Sequence, residues 1–149
     1  MVWGGISIDG HMDLVVVCGI LTAARYIKQI LLHQLLVAAY GVGPEFILMH
    51  DNARAHGACI TRAVLRELDI QGMEWPAKSP DHYPIMHVWD RLNRSVRGRP
   101  VPPQTLQDLK QSTIEEWNLI PQCDCHRLIR SMLRRCQAMI NARGGHTSY

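Results

Sequence analysis

The feature that most constrains this chain is an unbroken apolar run, Leu14-Val-Val-Val17, lying just after an Asp9-Gly10 turn. Asp-Gly between two β-prone segments, Met1–Ile8 and Met12–Cys18, signals a hairpin. A run that is apolar at every position, rather than at alternate ones, predicts a strand covered on both faces. Cover on two faces requires layers, and helical periodicity supplies them. Thr22 is placed to cap a helix with Tyr26, Ile27, Ile30, Leu31 and Leu35 on one side, ended by Gly41-Val-Gly-Pro44. Phe46–His50 reads as a short buried strand delivering Asp51-Asn52 at its carboxyl end, followed by a helix over His56–Leu68 and a weak strand over Gln71–Trp75. Pro76, Pro80 and Pro84 mark an irregular loop, then a helix from Ile85 to Val96. Thr105-x-x-Asp108 resembles a capping box opening a helix to Trp117, and a last helix is expected over Cys125–Arg143, ended by Gly144-Gly145. Strands alternating with helices predict an α/β domain with a helical tail. Arg97-Gly-Arg-Pro-Val-Pro-Pro103 is the best linker, so the expected division is a core over 1–97, a proline-rich linker over 98–104 and C-terminal helices over 105–149.

With 149 residues there is room for one core of ordinary size. The longest apolar run, Leu14–Ala24, falls short of the roughly 20 residues that span a bilayer, so no membrane partner is expected. Asp9 and Asp13, without an early Lys or Arg, argue against a signal peptide. Five irregularly spaced cysteines suit reduced thiols, and both point to an intracellular, unsecreted protein.

The net charge of +3 hides an asymmetry. Residues 1–90 hold 6 Lys+Arg against 9 Asp+Glu, and residues 91–149 hold 10 against 4, a balance of +6. Nine of those ten are arginines, which suit bidentate phosphate contacts. The candidate nucleic-acid contacts are Arg91, Arg94, Arg97, Arg99, Arg127, Arg130 and Arg134; a solvated basic face is the other reading of the same pattern.

Asp51 stands where α/β proteins commonly place function. It reads either as a ligand to a divalent cation or, with Asn52, as a turn or cap pair. His50, His56, His82, His87 and Cys123-x-Cys125-His126 lack paired zinc spacing. Ser79 with a histidine and an aspartate would make a triad by residue type only, without a nucleophile elbow. Trp75, Trp89 and Trp117 stand beside apolar faces and read as packing.

Five ordered motifs add a resemblance. They are Met1-Val-Trp-Gly-Gly-Ile-Ser, Leu48-Met-His-Asp-Asn-Ala-Arg-Ala-His56, Trp75-Pro-Ala-Lys-Ser-Pro-Asp81, Pro84-Ile-Met-His-Val-Trp-Asp90 and Ala142-Arg-Gly-Gly-His146. Together they closely resemble the catalytic domain of Tc/mariner-superfamily DNA transposases, over essentially the whole chain. The resemblance implies a ribonuclease-H-like mixed sheet with flanking helices. It also implies two Mg²⁺ or Mn²⁺ ions held by Asp, Asp and Glu for in-line attack on DNA phosphodiesters, and a nuclear location. By motif, Asp51 matches the second acid. The Glu position, thirty-four intervening residues later, is Met86, and the loop departs from the pattern at His82-Tyr83. A thioether is a soft, uncharged ligand for a hard cation.

The resemblance places the first acid on a central strand upstream of Met1, as are the modules that read transposon ends. The expectation is therefore an N-terminally shortened, degenerate relic with that strand missing, no tightly bound metal and no transposition. Its hairpin and Phe46–His50 are expected either to pair directly or to stand open at their edges. The expected role is non-specific DNA association. The alternatives are a protein-interaction relic, whose helical tail binds a second copy or an intact transposase, and a residual metal nuclease with Asp81 or Asp90 in place of the lost Glu.

Overall fold

The computed structural model describes residues 1–73 and 83–143. In chain order these form β1 (Val2–Trp3), β2 (Val15–Val16), α1 (Ala23–Tyr26), a π-helical stretch (Ile27–Leu35), α2 (Leu36–Val42), β3 (Ile47–Leu48), α3 (Cys59–Glu67) and β4 (Gln71–Gly72). They continue with α4 (Pro84–Arg97), α5 (Leu106–Asn118), α6 (Gln122–Arg130) and α7 (Met132–Asn141). The chain divides into two compact units, Met1 with Val17–Lys78 and Val2–Val16 with Ser79–Tyr149. No helix among the described residues is long and apolar enough to cross a membrane.

In the first unit Thr22 caps α1, its hydroxyl accepting from Arg25 N at 3.3 Å. Arg25 itself donates to the carbonyls of Cys18 and Ile20, at 2.7 and 2.8 Å. The expected stripe packs inward: Tyr26, Ile30, Leu31 and Leu35 are buried. The winding does not stay α-helical, because Ile27–Leu35 is π-helical before α2 resumes. β3 pairs in parallel with β4, Ile47 opposite Gln71 and Leu48 opposite Gly72. The sequence predicts a short buried strand over Phe46–His50. Instead the ladder is two residues long, Leu48 points inward and Ile47 is 49% exposed. The helix expected from His56 starts at Cys59, because Ala53–Gly57 closes a turn in which the carbonyl of Ala53 accepts from both His56 N and Gly57 N, each at 2.9 Å.

In the second unit β1 and β2 form the expected hairpin, Val2 opposite Val16 and Trp3 opposite Val15. Its turn is held by Ser7, whose hydroxyl accepts from Asp9 N and Gly10 N at 3.1 Å each. Among the described residues the strands form two two-stranded ladders, β1–β2 and β3–β4. Ile85, Val88, Leu92 and Val96 fall on one side of α4 at helical spacing. They close a core with Trp117, Ile120 and Cys125, edged by Ile6, Leu14, Tyr83, Trp89 and Leu128. Each such apolar side chain contributes roughly 1.5–3 kcal/mol by leaving water. Trp89 stacks on Trp117 at a centroid distance of 5.1 Å. A Cβ at Gly4 would lie 2.7 Å from the Trp117 ring, so only glycine lets the hairpin approach this closely. The segment 98–104 joins α4 to α5, whose residues share that one core.

The capping box forms as spelled. Asp108 N donates to the Thr105 hydroxyl at 3.1 Å, and Thr105 N to the Asp108 carboxylate at 2.9 Å. Those bonds hold the Asp108 carboxyl below its ordinary pKa, the Thr105 bonds being the largest cause. The expected single last helix is instead two, α6 and α7, meeting at Ser131. The Ser131 hydroxyl donates to Leu128 O at 2.6 Å and accepts from Arg135 Nε at 2.9 Å, offering the backbone a competing partner at the junction. The split redistributes the apolar face: Leu133 is 80% exposed and Ile140 66% exposed.

Candidate functional site

Asp51 lies three residues beyond the end of β3 and opens the Ala53–Gly57 turn. Its Oδ1 accepts from Ala53 N at 3.1 Å, an Asx-type turn closed two residues on. The same oxygen accepts from His56 Nδ1 at 2.6 Å. The turn is pinned to α3 by Thr61, fully buried, whose hydroxyl donates to Ala55 O at 2.7 Å. The Asp51 side chain remains 57% exposed, whereas His56 is 12% exposed. The His56 ring lies 4.4 Å from Tyr26 and 5.4 Å from His50, centroid to centroid. His50 Nδ1 is buried with no hydrogen-bond partner among the described residues. Burial pushes the His50 imidazole below its ordinary pKa; the neighbouring His56 adds to this and Asp51 opposes it.

Among the described residues, the donors around Asp51 do not make a site for a pair of hard cations. Asp51 offers one carboxylate, one of whose oxygens already serves two donors. Among the described residues no three His, Cys, Asp or Glu side chains come together as a metal cage. Met86, in the first turn of α4, is 42% exposed and brings a thioether. Asp90, one turn further on, is ion-paired with Arg94 at 2.9 Å. His87 accepts from the guanidinium of Arg135, a buried residue of α7. In α6, Cys123 is exposed while Cys125 is buried, and burial raises the Cys125 thiol pKa. Trp75, Ser79, Asp81, His82 and Gly144–His146 lie outside the described residues.

The seven arginines singled out from sequence separate into two groups. Arg91 of α4 and Arg127 of α6 both pair with Asp124, which is buried in the first turn of α6. Arg94 pairs with Asp90. Arg99 reaches Glu115 at 2.8 Å and Glu116 at 3.1 Å. Glu115 is held below its ordinary pKa by a hydrogen bond from Gln111 first and by Arg99 second. Arg97, Arg130 and Arg134 are exposed and form no ion pair among the described residues. Arg143, not singled out, is also exposed, on a left-handed residue with φ 48° just after α7. The pairs at i,i+4 and i,i+3, Asp90–Arg94 and Asp124–Arg127, could be found by spacing alone. Arg91–Asp124 joins two helices and left no local signal.

No protein-family profile matches the chain. Individual proteins do. The Tc1 transposase of Caenorhabditis elegans is 36% identical over 113 residues, 75% of this chain and 40% of that protein. The Tcb1 transposase of Caenorhabditis briggsae is 30% identical over 151 aligned positions, 100% of this chain and 54% of that protein. The chain thus spans about half the length, or less, of these relatives. Among solved structures, the Mos1 transposase catalytic domain with raltegravir and Mg superposes with a TM-score of 0.83 at 21% identity, covering 99% of this chain and 75% of that one. The Mos1 paired-end complex with a left transposon end gives 0.79 at 22% identity, over 97% and 43%. The chain is a homologue of the Tc1/mariner transposases and has the ribonuclease-H-like fold of their catalytic domain.

Proposed function

We propose that this chain is a transposase-derived, nuclear, DNA-associated protein that does not carry out metal-dependent strand transfer. Its relatives are transposases, and a solved structure with the same fold is a complex with a transposon end. The observation that carries the reading is the methionine at position 86, where the family motif has its metal-binding Glu. A +6 balance over residues 91–149 supports association with a polyanion. Binding is sequence-independent and falls with salt, because phosphate contacts release counterions. An electrophoretic shift of a short random-sequence duplex at about 50 and about 200 mM salt tests it. A shift at the lower salt only is expected, and none at either, or equal binding at both, ends the reading.

The inactive half of the reading has its own test. Supercoiled plasmid incubated with Mg²⁺ or Mn²⁺ is expected to stay intact. Nicking that disappears in Asp51→Ala would establish a nuclease instead.

A second reading is favoured by the exposure of Leu133 and Ile140 on α7, which suits a protein partner such as another copy of the chain or an intact transposase. Light scattering that gives a monodisperse monomer, together with no capture of an intact Tc1-type transposase, would count against it.

A further inference from the structure

Charge in the C-terminal third is unevenly available. Of the five acids on α4–α6, Asp90, Glu115, Glu116 and Asp124 are each bound to an arginine, and Asp108 is held in its capping box. Four of the arginines counted as polyanion contacts are therefore already neutralised by a carboxylate. A phosphate would have to compete with that carboxylate, and little counterion would be released by the exchange. Arg97 at the end of α4, Arg130 at the end of α6, Arg134 on α7 and Arg143 just beyond it have no such partner among the described residues.

Resting on the DNA-association reading above, we infer that duplex DNA is held by Arg97, Arg130, Arg134 and Arg143. Arg91, Arg94, Arg99 and Arg127 serve instead as internal struts between and along the helices. The formal +6 overstates what a phosphate backbone meets. Asp90 acts as a brake on binding, because it occupies an exposed guanidinium that would otherwise be free: the Arg94 and Asp90 side chains are 73% and 64% exposed.

The inference has a quantitative form. Each neutralised phosphate contributes about −0.9 to the slope of log K against log salt, so four contacts give about −3.6, and eight would give about −7. Binding of the full chain to a random-sequence duplex across a salt series is expected to lie near the smaller value. Arg97→Ala, Arg130→Ala, Arg134→Ala and Arg143→Ala should each flatten the slope by about 0.9, while Arg99→Ala leaves it unchanged.

The decisive variant is Asp90→Asn, which frees Arg94 and should steepen the slope by about 0.9 while tightening binding at low salt. A folding defect would not produce tighter binding. Asp13→Asn removes the same charge from an exposed residue without an ion pair among the described residues, and should leave the slope unchanged. A slope near −7, or equal effects of Asp90→Asn and Asp13→Asn, overturns the assignment while DNA association stands. No shift at any salt overturns DNA association itself.

Discussion

The indole N–H of Trp117 donates to the carbonyl oxygen of Met12 at 2.8 Å, a bond that spans 105 positions of sequence. It ties the end of α5 to the hairpin. Above the same ring sits Gly4, where a methyl group would stand 2.7 Å from the indole. Two substitutions should report this contact from opposite sides. Trp117→Ala should cost about 3–5 kcal/mol by opening a cavity. Gly4→Ala should cost about 1–3 kcal/mol by overpacking. Urea denaturation checks both, and a double variant should cost less than the sum of the two, because the clash vanishes with the ring.

Thr105→Ala removes one half of the capping box at the start of α5. A loss of about 1 kcal/mol is expected from an N-cap of this kind. Thr105→Ser keeps the acceptor and should restore most of it. Equal losses from both variants would show that the hydroxyl is not what holds the turn.

Stability should fall as the solution becomes acidic, and His50 is one cause. Its folded-state pKa lies below 6.5, lowered first by burial, so the unfolded chain takes up a proton that the folded chain resists. The His50 contribution is therefore complete above about pH 6.5 and declines as pH drops through the depressed folded value. Denaturation midpoints at about pH 7.5 and about pH 5.5 should show a smaller drop for His50→Leu than for the unaltered chain. An identical drop would place the acid sensitivity elsewhere.

Asp124→Asn should destabilise the second unit by about 1.5–3 kcal/mol, because Arg91 and Arg127 lose their charged acceptor in a largely buried position. Glu116→Gln, at a partly exposed pair that leaves Arg99 with Glu115, should cost under about 1 kcal/mol. Thermal melts of the two variants separate these cases.

Features encoded within a few residues were legible. The Asp9-Gly10 turn, the Thr22 cap and the Thr105–Asp108 box all depend on near neighbours, and each formed where the letters put it. Motif order was legible too, and it carried the family and the ribonuclease-H-like fold. Features decided by tertiary context were not. Nothing near Ile27 announces π-winding, and nothing near Ser131 separates a break from a continuous helix until Arg135 is seen to donate to its hydroxyl. At the candidate site, the histidines flanking Asp51 were visible as neighbours, but the tilted contact of the His56 ring with Tyr26 depends on how α1 meets the turn. The arginine stripe failed to distinguish struts from free groups for the same reason, since Arg91 and Arg99 find their acids on other helices.

The junction at Ser131 also decides the fate of two adjacent letters. Arg134 faces water, while Arg135, next in line, lies inside against His87 and the serine hydroxyl. The serine hydroxyl at the helix junction is thus one of two groups that keep the inner guanidinium of this adjacent pair away from the surface.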